Sequence, residues 1–589
     1  MSHRETSEKR RLPMLGVLIC VWAFGASFET AADTTAQTVF VNGQIYIGKA
    51  RNPWATEVAV SGGQFVYVGD DVSALVGPDT VVYDLESRLV IPGLIDGHTH
   101  LGLVAVANHL IDMDTASTKA ELLQNIRQVI EDNPDRDQFV LGYWPNEMFG
   151  EDGPHKSDLD RIESERPVII YDDLTHSVWA NSRALEVAGV TRDTPDIVPN
   201  FSFYKKDDDG EPTGLVTESA VSVFINNFQS VTPSVEQSMV DYANHFLSVG
   251  VTTILDAGNF GMDEEVFAAL VRLDEEGRLP IRVHGSYTLF LPDEATTAVD
   301  SLRDLAERYD TANVTIDTLK VFMDGVVDNR TAAMLEDYLD TPGNSGEALL
   351  SREQVRDLAL ELEMESFNMH VHSVGDRATA IVLDGIEAAQ EALGRPLTIR
   401  VTLAHLEFIK DSDFRRFKKL GIIANFTPHW AVDMDLSWYK AGIGDLAYDM
   451  QRGQPLLSDG ARVSFSSDNT TESERTFGRD GSSPFVGMQV GHTRQDVNAG
   501  QDVGILPPIS ERLQLDDLLN GYSTDAAYQL GRSDIGMIAV GKRADLLVLN
   551  QNIFEISPYD IHRTKPVAIL IDGELVDGEL ASVPDRAIN

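Results

Sequence analysis

Residues 91–100, Ile-Pro-Gly-Leu-Ile-Asp-Gly-His-Thr-His, compress a strand, its stop signal and two metal-type ligands into ten positions. Val90, Ile91, Leu94 and Ile95 supply the apolar content of a short buried strand, Pro92 and Gly93 mark where it begins, and Gly97 lets the backbone pass close to a neighbour. His98 and His100 are two apart. On an extended chain they point the same way and both imidazoles reach one ion, whereas on a helix they would diverge. Neutral imidazole is the commonest ligand of zinc-like metals. A bare His-x-His also occurs at strand ends that bind nothing, so the remainder of the chain decides.

Working outward, short β-type runs ending in polar residues recur, and most are followed by helical patterns such as Glu121–Asp132, Asp263–Gly277 and Glu353–Ser366. Eight such runs are expected: Leu94–His98, Thr252–Ala257, Ile281–Ser286, Ile316–Phe322, Met369–Val374, Val401–His405, Ile422–Phe426 and Val463–Ser467. Eight strands with crossover helices predict an α/β fold, a (β/α)8 TIM-type barrel over 92–530. The gap between the first and second strands is too long for one helix, so about 131–218 is expected to be an insertion beside the mouth. Short alternating segments at both ends, 33–91 and 531–589, predict a small β-sandwich built from the two chain ends, with Asn42-Gly43 and Gly62-Gly63 as hairpin turns.

The chain has 589 residues, 47 Lys and Arg against 93 Asp and Glu, and a formal net charge of −46. That balance argues against phosphate-backbone binding and so against a nucleic-acid partner. Lys9-Arg10-Arg11 precedes an uncharged run from Leu12 to Phe28 and small residues at Ala31-Ala32, the pattern of an export signal over about 1–32. The protein is therefore expected to be periplasmic or secreted, with no stable membrane span in its mature form. The single cysteine, Cys20, lies inside that segment, which leaves the mature chain without a disulfide, a cysteine nucleophile or a thiolate metal site.

In a barrel the chemistry sits at the carboxyl ends of the strands. The strand placement brings His98, His100, Lys320, His372, His405 and Asp468 to one rim. Singly, each has an ordinary reading as a packed imidazole, a snorkelling lysine or a helix cap; six such accidents at strand ends are less economical than one site. His370 is assigned to the opposite parity from His372 and left out of the set.

The stretches VIPGLIDGHTH, DDLTHSVWANSRAL, GEPTGLVTE, GVTTILDAG, LKVFMDGVVDNRTAAM, HSVGDRA, TLAHLEF, SSDN and GMIAVGKRADLLVLN, running in this order over nearly the whole mature chain, resemble the amidohydrolase superfamily. The likeness is greatest to its amidohydrolase-3, or YtcJ-like, branch, which includes N-substituted formamide deformylases. The resemblance implies two divalent metal ions, zinc by preference, with His98 and His100 on one and His372 and His405 on the other. It further implies a carboxylated Lys320 bridging both, Asp468 as ligand and proton shuttle, and a homodimer.

The implied reaction is hydrolysis of a C–N bond in a small amide, N-formyl, carbamate or cyclic amide substrate by metal-activated water. The same parts would serve an ester, lactone or organophosphate, and a non-catalytic barrel would be marked by a missing ligand position; none is missing. Substrate contacts are expected from His176 and His429, with Tyr143, Trp144 and Trp430 lining the pocket. Leu174-Thr175 ahead of His176 and Phe426-Thr427-Pro428-His429 depart from the branch pattern.

Overall fold

Strands β1 (Leu94–Thr99), β2 (Val251–Asp256), β3 (Arg282–Leu289), β4 (Val314–Phe322), β5 (Asn368–Ser373), β6 (Val401–His405), β7 (Ile423–Phe426) and β8 (Arg462–Phe465) pair in chain order, each parallel to its neighbour. The computed structural model describes residues 35–113, 116–145, 148–150, 153–432, 436–469, 480–499 and 503–582. The expected export segment, Cys20 included, lies outside these residues. β1 and β8 are tied at their carboxyl ends: the Asp468 N–H donates to the His98 carbonyl at 2.8 Å, and the Ser467 N–H donates to the Asp96 carboxylate at 3.1 and 3.2 Å. The result is a nearly closed (β/α)8 barrel.

All eight expected strands are present, with ends moved by tertiary pairing. β3 runs on past Ser286 because Thr288 and Leu289 find partners in Lys320 and Val321 of β4. β8 ends near Phe465: Ser466 still donates to the Phe426 carbonyl of β7, and the next residue, Ser467, turns to Asp96. Strands buried on both faces need apolar residues at nearly every position, which is why runs such as Val-Thr-Leu-Ala-His read without alternation. Helices Asp263–Glu275, Ala298–Tyr309, Arg352–Glu365 and Asp376–Leu393 follow β2 to β5 and cover the outside. Ser351 and Gln354 form a reciprocal cap at the start of Arg352–Glu365, and Gly394, in the left-handed region, ends Asp376–Leu393.

Gly97 shows why β1 carries a glycine between its two acidic and basic positions. A Cβ there would lie 2.8 Å from Asn425 Nδ2 and 2.9 Å from Gln529 Oε1, inside a buried polar network under the site.

Between β1 and β2 the chain builds a six-stranded sheet of Ile111–Asp112, Phe139–Trp144, Val168–Asp172, Ser177–Ala180, Pro212–Thr217 and Tyr204–Lys206, in that spatial order. Its edge strand, Ile111–Asp112, lies ahead of residue 131. The two chain ends meet in a second six-stranded sheet, where Leu89–Pro92 lies between Gln44–Tyr46 and Leu546–Leu549. This sheet and a four-stranded one from the amino-terminal segment share a core of Phe40, Val58, Phe65, Val90, Leu546 and Leu570.

Arg282, at the start of β3 and 2% exposed, joins that sandwich to the barrel. Its guanidinium donates to Asp545 at 2.6 and 3.2 Å and to Asp572 at 3.0 Å, and Asp572 is also paired with Arg543. Removing one partner of such a buried pair strands the other charge, at a cost of about 3–5 kcal/mol. Asp545→Ala is therefore expected to lower the unfolding free energy measured in urea by an amount in that range; a loss under about 1 kcal/mol would show the pair to be dispensable.

Candidate active site

The carboxyl ends of the strands converge on Asp468. Its Oδ1 lies 3.5 Å from His98 Nε2 and 3.3 Å from His100 Nε2, and its Oδ2 lies 3.3 Å from His405 Nδ1. His98, His100 and Asp468 each offer a ligand atom within 4.8 Å of the others, a spacing that suits one metal ion. Lys320 Nζ is 3.2 Å from His98 Nε2, and the His372 ring centroid is 4.4 Å from that of His405. The structure thus brings all six rim residues into one cluster, with the four histidines and Lys320 buried and Asp468 partly open to the cavity.

Outer contacts orient these groups. His100 Nδ1–H donates to the Gly258 carbonyl at 3.0 Å, which leaves its Nε2 lone pair facing Asp468. His370 corrects the expected parity: residues two apart on a strand share a face, and His370, 1% exposed, places Nε2 3.0 Å from His98 Nδ1. It is a support for His98, one layer behind the cluster. His405 and Asp468 both hold left-handed backbone, with φ of 71° and 44°, a conformation that costs a non-glycine residue energy and concentrates at functional sites.

Burial sets the protonation states. It holds His98, His370, His372 and His405 well below the ordinary imidazole value, with Lys320 adding to the effect. Burial also pulls Lys320 down to about 7 against the opposing charge of Asp468. His176 behaves oppositely. Burial would depress it, but the Glu218 carboxylate 2.6 Å from Nδ1 outweighs that and holds it up at about 9. Glu218 is itself fixed by Thr331 Oγ1 at 2.5 Å. Nothing in the sequence singled Glu218 out; the signal lay in the GLVTE stretch, which ends on it.

A cavity of about 300 Å³ opens over the cluster, a size that suits a small molecule. Tyr143, His176 and Trp430 line it, and Trp430 stacks on His405 with ring centroids 5.7 Å apart. Trp144 and His429 do not line it. Trp144, 1% exposed, packs in the core of the inserted sheet against Phe149, and His429, fully buried, donates Nε2–H to the Ser467 carbonyl at 2.8 Å.

The donor set fits a divalent cation. Neutral imidazoles present lone pairs, Asp468 supplies charge, and among the described residues His405 Nε2 is buried without a hydrogen-bond partner. The sequence matches the model of the amidohydrolase family over residues 81–577. The chain belongs to the amidohydrolase family. Among relatives of this amidohydrolase, the exoenzymes regulatory protein AepA of Pectobacterium carotovorum subsp. carotovorum is 31% identical over 72% of the chain and 92% of its own length. The N-substituted formamide deformylase of Arthrobacter pascens is 27% identical, covering 91% of this chain and 97% of that one. In fold, the amidohydrolase is similar to the crystal structure of an uncharacterized metal-dependent hydrolase from Pyrococcus horikoshii, with a TM-score of 0.66, 22% identity, and coverage of 88% and 99%. The family makes the protein a hydrolase and implies a divalent metal.

Because His370 fixes the orientation of His98, His370→Phe is expected to weaken divalent-metal affinity about 10- to 100-fold, measured by competition with a chromophoric chelator. A second expectation concerns pH. Imidazoles held below their unfolded value of about 6.5 bind fewer protons in the folded state, so stability is full above that value and is lost as pH falls through it. The thermal midpoint of chelator-treated protein should fall between about pH 7 and 5, and more gently in His370→Phe; a flat profile would contradict the burial of these rings.

Proposed function

We propose that this amidohydrolase cleaves the C–N bond of a small amide, N-formyl, carbamate or cyclic amide substrate. His98, His100, Lys320, His372, His405 and Asp468 would hold two divalent ions, zinc by donor type, with Lys320 carboxylated between them. The observation that carries this reading is the position of Asp468, one carboxylate within 3.3–3.5 Å of three imidazole nitrogens. The likeness to N-substituted formamide deformylase supports a C–N bond as the target.

A bound divalent metal acidifies water and polarises a carbonyl. The chain's own residues do the rest. Asp468 accepts the proton of the attacking water and returns it to the leaving nitrogen, whose departure as an anion would be prohibitive. Lys320, pulled to about 7, exposes a neutral amine near neutral pH; Nζ adds to carbon dioxide, loses a proton and becomes an anionic oxygen ligand. His176, kept protonated by Glu218, offers a donor from the cavity wall to the substrate's oxygen as negative charge builds there. Phe260, Phe290 and Phe322 keep that wall dry. The basic and then apolar segment at 9–28 supports export of the enzyme.

Metal content of the purified protein beside Lys320→Ala, with activity on an amide panel, tests the proposal. About two ions per chain are expected, with both metal and activity falling in the variant. One ion or none, with activity indifferent to Lys320, would overturn the bridged centre.

A further inference from the structure

Beyond the ligand cluster and the His176–Glu218 pair, the cavity is lined by three carboxylates that hydrolysis leaves unused: Asp173, Asp328 and Glu407. Among the described lining residues Lys320 is the only lysine or arginine, and it belongs to the cluster. Glu407, 7% exposed, comes from the loop after β6. Its Oε2 accepts from the Tyr439 hydroxyl at 3.4 Å, and among the described residues nothing donates to Oε1.

Asp328 lines the same wall, and its charge reaches both Glu407 and Tyr439. A phenol has one proton, so Glu407 has that single donor, and burial beside the Asp328 charge pushes its carboxyl up to about 8. The Arg330 guanidinium, whose charge reaches Asp328, is committed elsewhere: Nε and Nη2 hold Asp340 at 2.6–3.1 Å and Nη1 donates to the Val327 carbonyl. Ser219, 1% exposed, lines the same cavity, and among the described residues its hydroxyl has no hydrogen-bond partner.

We propose that Glu407, Asp328 and Tyr439 form a recognition site for a cationic nitrogen, a primary ammonium or guanidinium, carried by the substrate away from the bond that is cleaved. An ammonium brings three donors and no acceptor, which matches a wall with acceptors in excess. Trp430 and Tyr439 add aromatic surface that tolerates a cation. The assignment of this cation to a substrate rests on the hydrolase proposed above; its binding does not.

Calorimetric titration of the full chain with benzylammonium and with benzyl alcohol, its neutral isostere, tests the site in about 0.3 M salt, where attraction to the outer surface is screened. The ammonium should bind about tenfold tighter or more, and Glu407→Gln or Asp328→Asn should abolish the difference. Each variant removes one unit from a net charge of −46, so a general attraction would survive both. Equal binding by the unaltered protein, which needs no variant to fold, would overturn the proposal. So would a preference that persists in both variants, as for an amine held by a metal. In parallel, matched amides ending in ammonium or methyl are assayed. Hydrolysis of both with no ammonium preference overturns the substrate assignment; selective benzylammonium binding with no amide hydrolysis sustains the cation site while the hydrolase reading fails.

Discussion

The hydrogen bond from the Asp468 N–H to the His98 carbonyl joins the last barrel strand to the first, and most of the site follows from it. It brings the Asp468 carboxylate over the β1 imidazoles, and it requires the left-handed backbone that Asp468 adopts. Asp96 reinforces the seam from below by accepting from both the His98 and Ser467 N–H groups. Burial raises the Asp96 carboxyl to about 7, so the seam is a polar element in a dry setting, where satisfied hydrogen bonds fix one geometry and unsatisfied ones are costly. Closure of the barrel and assembly of the ligand set are one event.

The cavity holds the same side chain in two protonation states. His372 and His176 have ring centroids 5.9 Å apart, yet the first is driven neutral by burial and neighbouring positive charge while the second is held cationic by Glu218. The difference comes chiefly from the Glu218 carboxylate, with Asp172 and Asp468 adding to it. It separates the labour: neutral rings give lone pairs to a metal, and the protonated ring gives a donor to the substrate. The inserted sheet is what makes this separation possible, since His176 precedes its strand Ser177–Ala180 and Glu218 follows its strand Pro212–Thr217.

The barrel was legible because its period is simple: strands buried on both faces, each closing on polar residues, alternate with amphipathic helices. The six rim residues were legible for the same reason, as strand ends are where chemistry gathers in this architecture. Adjacent residues were harder. Tyr143 and Trp144 are neighbours on one strand and so face opposite sides, one toward the cavity and one toward the core. His429 and Trp430 sit in the 3-10 turn Pro428–Trp430, which sends the histidine to the Ser467 carbonyl and the tryptophan onto His405. Glu407, Asp328 and Tyr439 come from three separate connections, and no local pattern announces that they meet. His370 needed only correct counting from His372.

The Arg282 network bears on the order in which the protein can be completed. Asp545 and Asp572, the partners of this buried guanidinium, lie 263 and 290 residues further along the chain. Strand Leu89–Pro92 likewise waits for Leu546–Leu549 to cover its second edge. During synthesis from the amino terminus, β3 therefore emerges with an unneutralised charge at its base and the first sheet with an open rim. Neither defect is repaired until the final segment has left the ribosome. A chain ending near residue 530 would retain every ligand in the cluster yet leave the buried Arg282 guanidinium without Asp545 and Asp572 and one edge of Leu89–Pro92 uncovered.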